Sequence, residues 1–209
     1  MGTMMKQAAL IAIAIVGLSS PIRAQDTPAT AANTSPPQTQ TAATITEGLA
    51  AWQEVYGVAS HPRCANCHVG EDNIPVWSGP SYGKRQSHGM NINAGESRIG
   101  AEYIQCQTCH FSTQRDLPHA PPGAPNWHLA PVEMQWIDKT SAEICQQLKN
   151  PETNGDRSLA EIAEHIRDDA LVAWGWAPGP GREPAPGSAE QTFRALKTWA
   201  AAGAPCPQG

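Results

Sequence analysis

The sequence predicts an all-α domain with long irregular loops. Three observations carry that expectation. Apolar residues recur at three-to-four spacing between Ile45 and Ala59. Three later positions place Ser or Thr three residues ahead of Glu or Gln at the start of an apolar run, the signature of a helix N-terminus. No stretch alternates apolar and polar residues convincingly enough to read as a strand. The 209 residues include 19 Pro and 18 Gly, so the connections between helices are expected to be long and irregular.

The elements follow in order. Lys6 precedes an apolar run from Ala8 to Leu18, then Ser19-Ser20-Pro21-Ile22-Arg23-Ala24. A basic start, a short apolar core and a small residue at the end make 1–24 a secretory signal, cut after Ala24. The run is too short for a confident membrane span, and an uncleaved anchor is the alternative. Residues 25–43 are rich in Thr, Ala, Pro and Gln with Asp26 as the sole charge, a composition that reads as a flexible tether. The remainder, 44–209, fits one domain. Its first helix spans Ile45 to Ala59, with Ile45, Leu49, Trp52, Val55 and Tyr56 on one face. It leads through His61-Pro62 into Cys64-Ala65-Asn66-Cys67-His68. Residues 70–100 read as loop, and a short helix starting near Ala101 is expected to carry Cys106-Gln107-Thr108-Cys109-His110. A Pro-rich segment follows over 117–136. Thr140-x-x-Glu143 opens a helix to about Lys149, stopped by Pro151. Ser158-x-x-Glu161 opens one to about Val172, and Ser188-x-x-Gln191 opens one to Ala202 before Gly203. Phe193, Leu196 and Trp199 give that last helix its buried face.

The repeated pentapeptide Cys-x-x-Cys-His names a chemistry. Two thiols one turn apart add to the two vinyl groups of one macrocycle edge, and the adjacent His reaches the iron. The repeat therefore implies two haem c groups, held by Cys64, Cys67, Cys106 and Cys109, with His68 and His110 as proximal iron ligands. The competing use of two Cys-x-x-Cys pairs is a four-thiolate zinc site, which has no role for a His after each second Cys. A chain with two Phe and a thin aliphatic complement would gain apolar volume from such groups. Covalent haem attachment and the signal agree on the periplasm.

Each haem of an electron carrier takes a second, distal ligand, Met or His. His88, in a Gly-containing loop between the motifs, leads the candidates; Met90 beside it is the fallback. His61 lies too close to Cys64 to cap its own haem but can cross to the other. Met134 follows a Pro-rich loop. His165 is a weaker candidate, on the face of the Ser158 helix, followed by His119 and His128. Trp174-Gly175-Trp176 either lines a haem edge, forms a docking surface or packs an irregular loop. Cys145 and Cys206 remain. They are expected to pair in an oxidising compartment, with thiolate ligation of an iron as the alternative.

With these motifs behind a signal, the chain resembles a small periplasmic di-haem c-type cytochrome. Pro122-Gly123-Ala124-Pro125-Asn126-Trp127-His128-Leu129-Ala130-Pro131, Trp174-Gly175-Trp176 and Gly203-Ala204-Pro205-Cys206-Pro207 resemble a bacterial group often labelled isoquinoline oxidoreductase subunit. The resemblance implies a loop-rich cytochrome c-like domain built around two haems. It also implies a link to periplasmic molybdenum hydroxylases. The chain itself carries no pterin or flavin pattern.

Two functions compete. The first is electron transfer from a periplasmic dehydrogenase, such as a molybdenum hydroxylase, to another cytochrome or a terminal reductase or oxidase. The second is a haem enzyme with one open iron, a di-haem peroxidase or a sulfur-compound dehydrogenase, for which His119 or Glu133 would manage protons. A haem-based sensor or assembly subunit is a third reading with no visible output domain. Removing Lys6 and Arg23 from the 14 basic residues leaves 12 against 19 acidic ones. That balance argues against nucleic acid as a partner and gives no support for adhesion to anionic lipid.

Overall fold

The structure, a computed structural model, describes residues 44–209. The expected signal over 1–24 and tether over 25–43 lie outside the described residues. The first helix, α1, runs Ile45–Ala59 with Thr44 as N-cap. The Thr44 hydroxyl accepts the Glu47 N–H at 3.2 Å, and the Glu47 carboxylate accepts the Thr44 N–H at 2.6 Å. The buried face of α1 is Gly48, Ala51, Trp52, Val55, Val58 and Ala59, whereas Ile45 at its start stays exposed. A single turn, α2 (Pro62–Ala65), follows at once, with Pro in its first turn where no N–H is needed.

The all-α expectation is overturned between the two motifs, and the chain is mixed. Strands β1 (Val76–Gly79) and β2 (Gly83–Ser87) form an antiparallel hairpin, and β3 (Gly100–Ala101) pairs antiparallel with β4 (Ile104–Gln105). The first hairpin turns at Pro80-Ser81, closed by the Tyr82 N–H donating to the Gly79 carbonyl at 2.9 Å. Every residue of β2 is exposed. A ribbon with no buried face needs no apolar alternation, so the period-two signal is absent although the ladder forms. The second motif correspondingly starts on a 3₁₀ turn, Cys106–Thr108, after β4 rather than on a helix from Ala101.

The C-terminal helices follow their caps. Helix α3 (Ser141–Lys149) carries the reciprocal Thr140–Glu143 box. Pro151 does more than stop it, because it opens the one-turn α4 (Pro151–Asn154) under the Asn150 cap. Helix α5 (Leu159–Asp168) begins at the Ser158–Glu161 box but ends before the expected Val172. Asp169 is extended there, and its carboxylate accepts the N–H groups of Leu171 and Val172 at 2.8 and 3.1 Å to open α6 (Ala170–Ala173). Helix α7 (Ala189–Ala201) packs along α1 and α5.

The main core lies where α1, α3, α5 and α7 meet. Trp52 and Trp199 are fully buried with ring centres 5.0 Å apart. Each indole N–H has a partner, Ser141 Oγ at 2.8 Å and the Pro205 carbonyl at 2.9 Å. Cys145 and Cys206 form a disulfide with Cα atoms 5.6 Å apart, tying the C-terminal tail to α3.

Candidate functional site

Both motifs make the same turn. In the first, the N–H groups of Cys67 and His68 donate to the Cys64 carbonyl at 3.1 and 3.3 Å. In the second, those of Cys109 and His110 donate to the Cys106 carbonyl at 3.2 and 2.9 Å. One bend thus sets both thiols and the imidazole of each copy.

The two motif histidines are supported alike. His68 Nδ1 lies 2.7 Å from the Met134 carbonyl, and His110 Nδ1 lies 2.9 Å from the Pro122 carbonyl. A carbonyl only accepts, so each Nδ1 carries the proton and each Nε2 keeps its lone pair. A tryptophan backs each ring in parallel. Trp136 stacks on His68 at 3.5 Å and 4°, and Trp127 stacks on His110 at 4.7 Å and 4°. Burial holds His68 well below its ordinary value, at about 4, and lowers His110 too. Both imidazoles are therefore neutral donors, oriented as metal-ligating histidines are.

The first motif opens into a cavity of about 240 Å³ lined by Val55, Val58, Leu148, Ile162, Leu196 and Trp174 beside Cys64, Cys67 and His68. That is far more than the ~10–15 Å³ one water requires. Burial pushes the Cys64 thiol up to about 12 and the Cys67 thiol up to about 11. Trp136 Nε1, in the cavity wall, is buried with no hydrogen-bond partner. An apolar cavity with two thiols and a free imidazole nitrogen at its edge fits a haem held by Cys64, Cys67 and His68. Among the described residues, no group of three or more His, Cys, Asp or Glu side chains converges as a metal cage. The four motif thiols are not gathered into one tetrahedral set, as zinc would require.

The second motif is more open. His110 is buried, but Cys109 is exposed, and Tyr103, Ile104, Phe111 and Leu117 around it in sequence are exposed as well. His88 faces His110 with ring centres 5.9 Å apart at 54°. His88 Nδ1 is 2.8 Å from the Gly89 carbonyl, which again leaves Nε2 free. The sequence candidate His88 and the motif His110 are thus brought together as neighbouring imidazoles, the two that would hold one iron between them if this site takes a haem.

The other candidates are placed differently. Met90, left-handed at φ 60°, is 78% exposed. His61 caps α2, its Nδ1 accepting the Arg63 N–H at 3.2 Å. Met134 lends its backbone carbonyl to His68 Nδ1 and is itself buried in the wall of the first cavity. His119 pairs with the Tyr82 hydroxyl at 3.2 Å. His128 and His165 both line the first cavity. His128 is exposed with Nδ1 against the Asn126 carbonyl, and His165 is half-buried on α5. Cys145 and Cys206, being disulfide-bonded, are out of reach of any iron as thiolates. Trp174 lines the cavity, its indole N–H donating to Gln114 Oε1 at 3.0 Å, whereas Trp176 holds its loop through the Pro186 carbonyl.

Sequence reasoning missed the supporting shell. Trp136, Trp127 and the two carbonyls lie far along the chain from the histidines they hold. Arg98 is 5% exposed, donating to the carbonyls of Val69 and Gly70 and to Asn73 Oδ1. Arg63 is 6% exposed between the rings of Tyr82 and Trp174. Neither forms an ion pair at contact distance among the described residues. These buried cations beside the first motif bias that site toward holding negative charge. The two motifs share one wall: Cys67 and Cys106 both pack on the cluster of Ala124, Trp127 and Trp174. Among the described residues, no helix is long and apolar enough to cross a membrane. No protein-family model, no curated protein and no solved structure matches the chain.

Proposed function

We propose that the protein is a periplasmic electron carrier with two c-type haems. In this reading it relays electrons from a dehydrogenase, such as a molybdenum hydroxylase, to another cytochrome or a terminal reductase or oxidase. The observation that carries the reading is the repeated Cys-x-x-Cys-His turn. In both copies the His is oriented by a carbonyl at Nδ1 and backed by a parallel Trp.

In this reading Cys64 and Cys67 hold one haem and Cys106 and Cys109 the other, with His68 and His110 as proximal ligands. Such a group supplies one-electron chemistry, and the protein tunes it through axial ligands, outer hydrogen bonds and burial. The chain's own residues do the rest. The Met134 and Pro122 carbonyls fix the tautomer and angle of His68 and His110. The Trp127 and Trp174 wedge keeps water from the thiol edges where the two motifs approach. His88, beside His110, would be the residue to hold the second haem from its other face, which would favour transfer over catalysis there. Close packing of both motifs on one cluster suits passage of an electron between them.

Mass spectrometry of the chain exported with haem-attachment machinery tests this directly. Two covalent haems per chain are expected. Replacing Cys64 and Cys67 by Ser removes one, and replacing Cys106 and Cys109 by Ser removes the other. A chain that leaves the periplasm without haem overturns the reading.

A further inference from the structure

We propose that His165, held by Asp169, is the second axial ligand of the first haem, and that Asp169 is its positioning residue. The inference rests on the di-haem reading and assigns the partner of His68 within it. His165 sits on α5 beside Ile166, which packs against the core, and it lines the same cavity as Cys64, Cys67 and His68. Its Nδ1 is 3.5 Å from Asp169 Oδ2. That carboxylate lies on the Nδ1 side of the ring at ion-pair distance, longer than the carbonyl contacts that hold His68, His110 and His88, and Nε2 is the nitrogen left to the cavity.

Asp169 is fixed independently of His165. Its Oδ1 caps α6 by accepting from Leu171 and Val172 N–H, so its second oxygen is presented to His165 by the break between α5 and α6. This gives the break a purpose beyond ending a helix. The rival donors on the same cavity are His128, exposed on a loop, and Met134, whose backbone carbonyl is already engaged with His68 Nδ1. The first site then has a carboxylate-supported ligand where the second has only the carbonyl-supported His88. A carboxylate at Nδ1 makes the imidazole a stronger donor to ferric iron, so it lowers the potential of that one haem.

Two variants test this in the holoprotein. Asp169→Asn keeps an oxygen for the α6 cap but presents an amide to His165. It is expected to raise one midpoint potential and leave the other unchanged; a tenfold loss of ferric preference, the lower end for outer-shell changes, corresponds to ~59 mV for one electron. His165→Gly is expected to convert one haem to high spin, with added imidazole restoring the low-spin spectrum. Both haems remaining low-spin in His165→Gly, or a high-spin haem appearing in His128→Ala instead, would overturn the assignment while leaving the di-haem reading intact. A wild-type protein without haem would instead sink the reading itself.

Discussion

The spacing of α1 and α7 sets the width of the first cavity, because Val55, Val58 and Ala59 line it from one helix and Thr192 and Leu196 from the other. Gly48 is where the end of α7 comes closest. A Cβ added there would lie 2.5 Å from Ala202 Cβ and 2.8 Å from Pro205 Cγ. Neither group can rotate away. Ala202 has no side-chain torsion to turn, and Pro205 is a ring fixed beside the Cys206 disulfide, with its carbonyl bonded to Trp199. Gly48→Ala gains about 1 kcal/mol of helix propensity but incurs overpacking of about 1–3 kcal/mol. The helices must separate, and a net loss of up to about 2 kcal/mol is expected. Gly57, in the same helix, supplies the control. It has nothing within 4 Å of its added Cβ, so Gly57→Ala keeps the propensity gain of about 0.5–1 kcal/mol. Guanidinium denaturation followed by tryptophan fluorescence compares the two, and the midpoints should move in opposite directions. Gly48→Ala proving as stable as Gly57→Ala would refute the close contact and with it the fixed width of the cavity.

Other expectations follow from single contacts. Replacing Cys145 and Cys206 together by Ala opens a loop with 61-residue separation and should cost about 4 kcal/mol on the chain-entropy estimate, read by denaturation against the wild type; a loss near zero would mean the tail is held without the bridge. Glu47, Glu143 and Glu161 are held below the usual carboxylate range by hydrogen bonds from their own N-cap residues. Their stabilisation is therefore complete above an unfolded value of about 4.3 and is lost as pH falls through the lower folded values. Stability measured from pH 6 to pH 3 should fall more steeply for the wild type than for a variant with all three changed to Gln, and parallel curves would contradict the capping account. His88→Ala should leave both haems attached but let one bind cyanide; a spectrum that ignores cyanide would remove His88 from the iron.

What was legible in the sequence is what is encoded locally. Helix α1 falls between the expected bounds, and the Thr140 and Ser158 boxes open α3 and α5, because a cap needs only residues within one turn. The pairing of Cys145 with Cys206 followed from counting what the motifs left over. The hairpin of β1 and β2 was not legible, since β2 is exposed along its length and nothing selects an alternating pattern. The end of α5 was misjudged because Asp169 acts as a cap for α6, a role that competes with continuing the helix. At the candidate site, the thiols and histidines were readable from spacing alone. Their support was not: Met134 and Trp136 reach His68 from across the chain, and Trp127 reaches His110 from a Pro-rich loop with no periodicity. Among the distal candidates, the sequence ranked His88 first, and it is His88 that stands 5.9 Å from His110. It ranked His165 low because a His on a helix face reads as a core or boundary residue, and spacing alone does not reveal the cavity that His165 lines.

The most direct measurement is electron paramagnetic resonance with optical spectra on the oxidised holoprotein, before and after cyanide. The account expects two low-spin ferric haems per chain, both unchanged by cyanide, because it assigns each iron a ligand on both faces. A high-spin signal that cyanide converts would contradict it by revealing an open iron, and a haem-free chain with zinc on its cysteines would contradict it at the root.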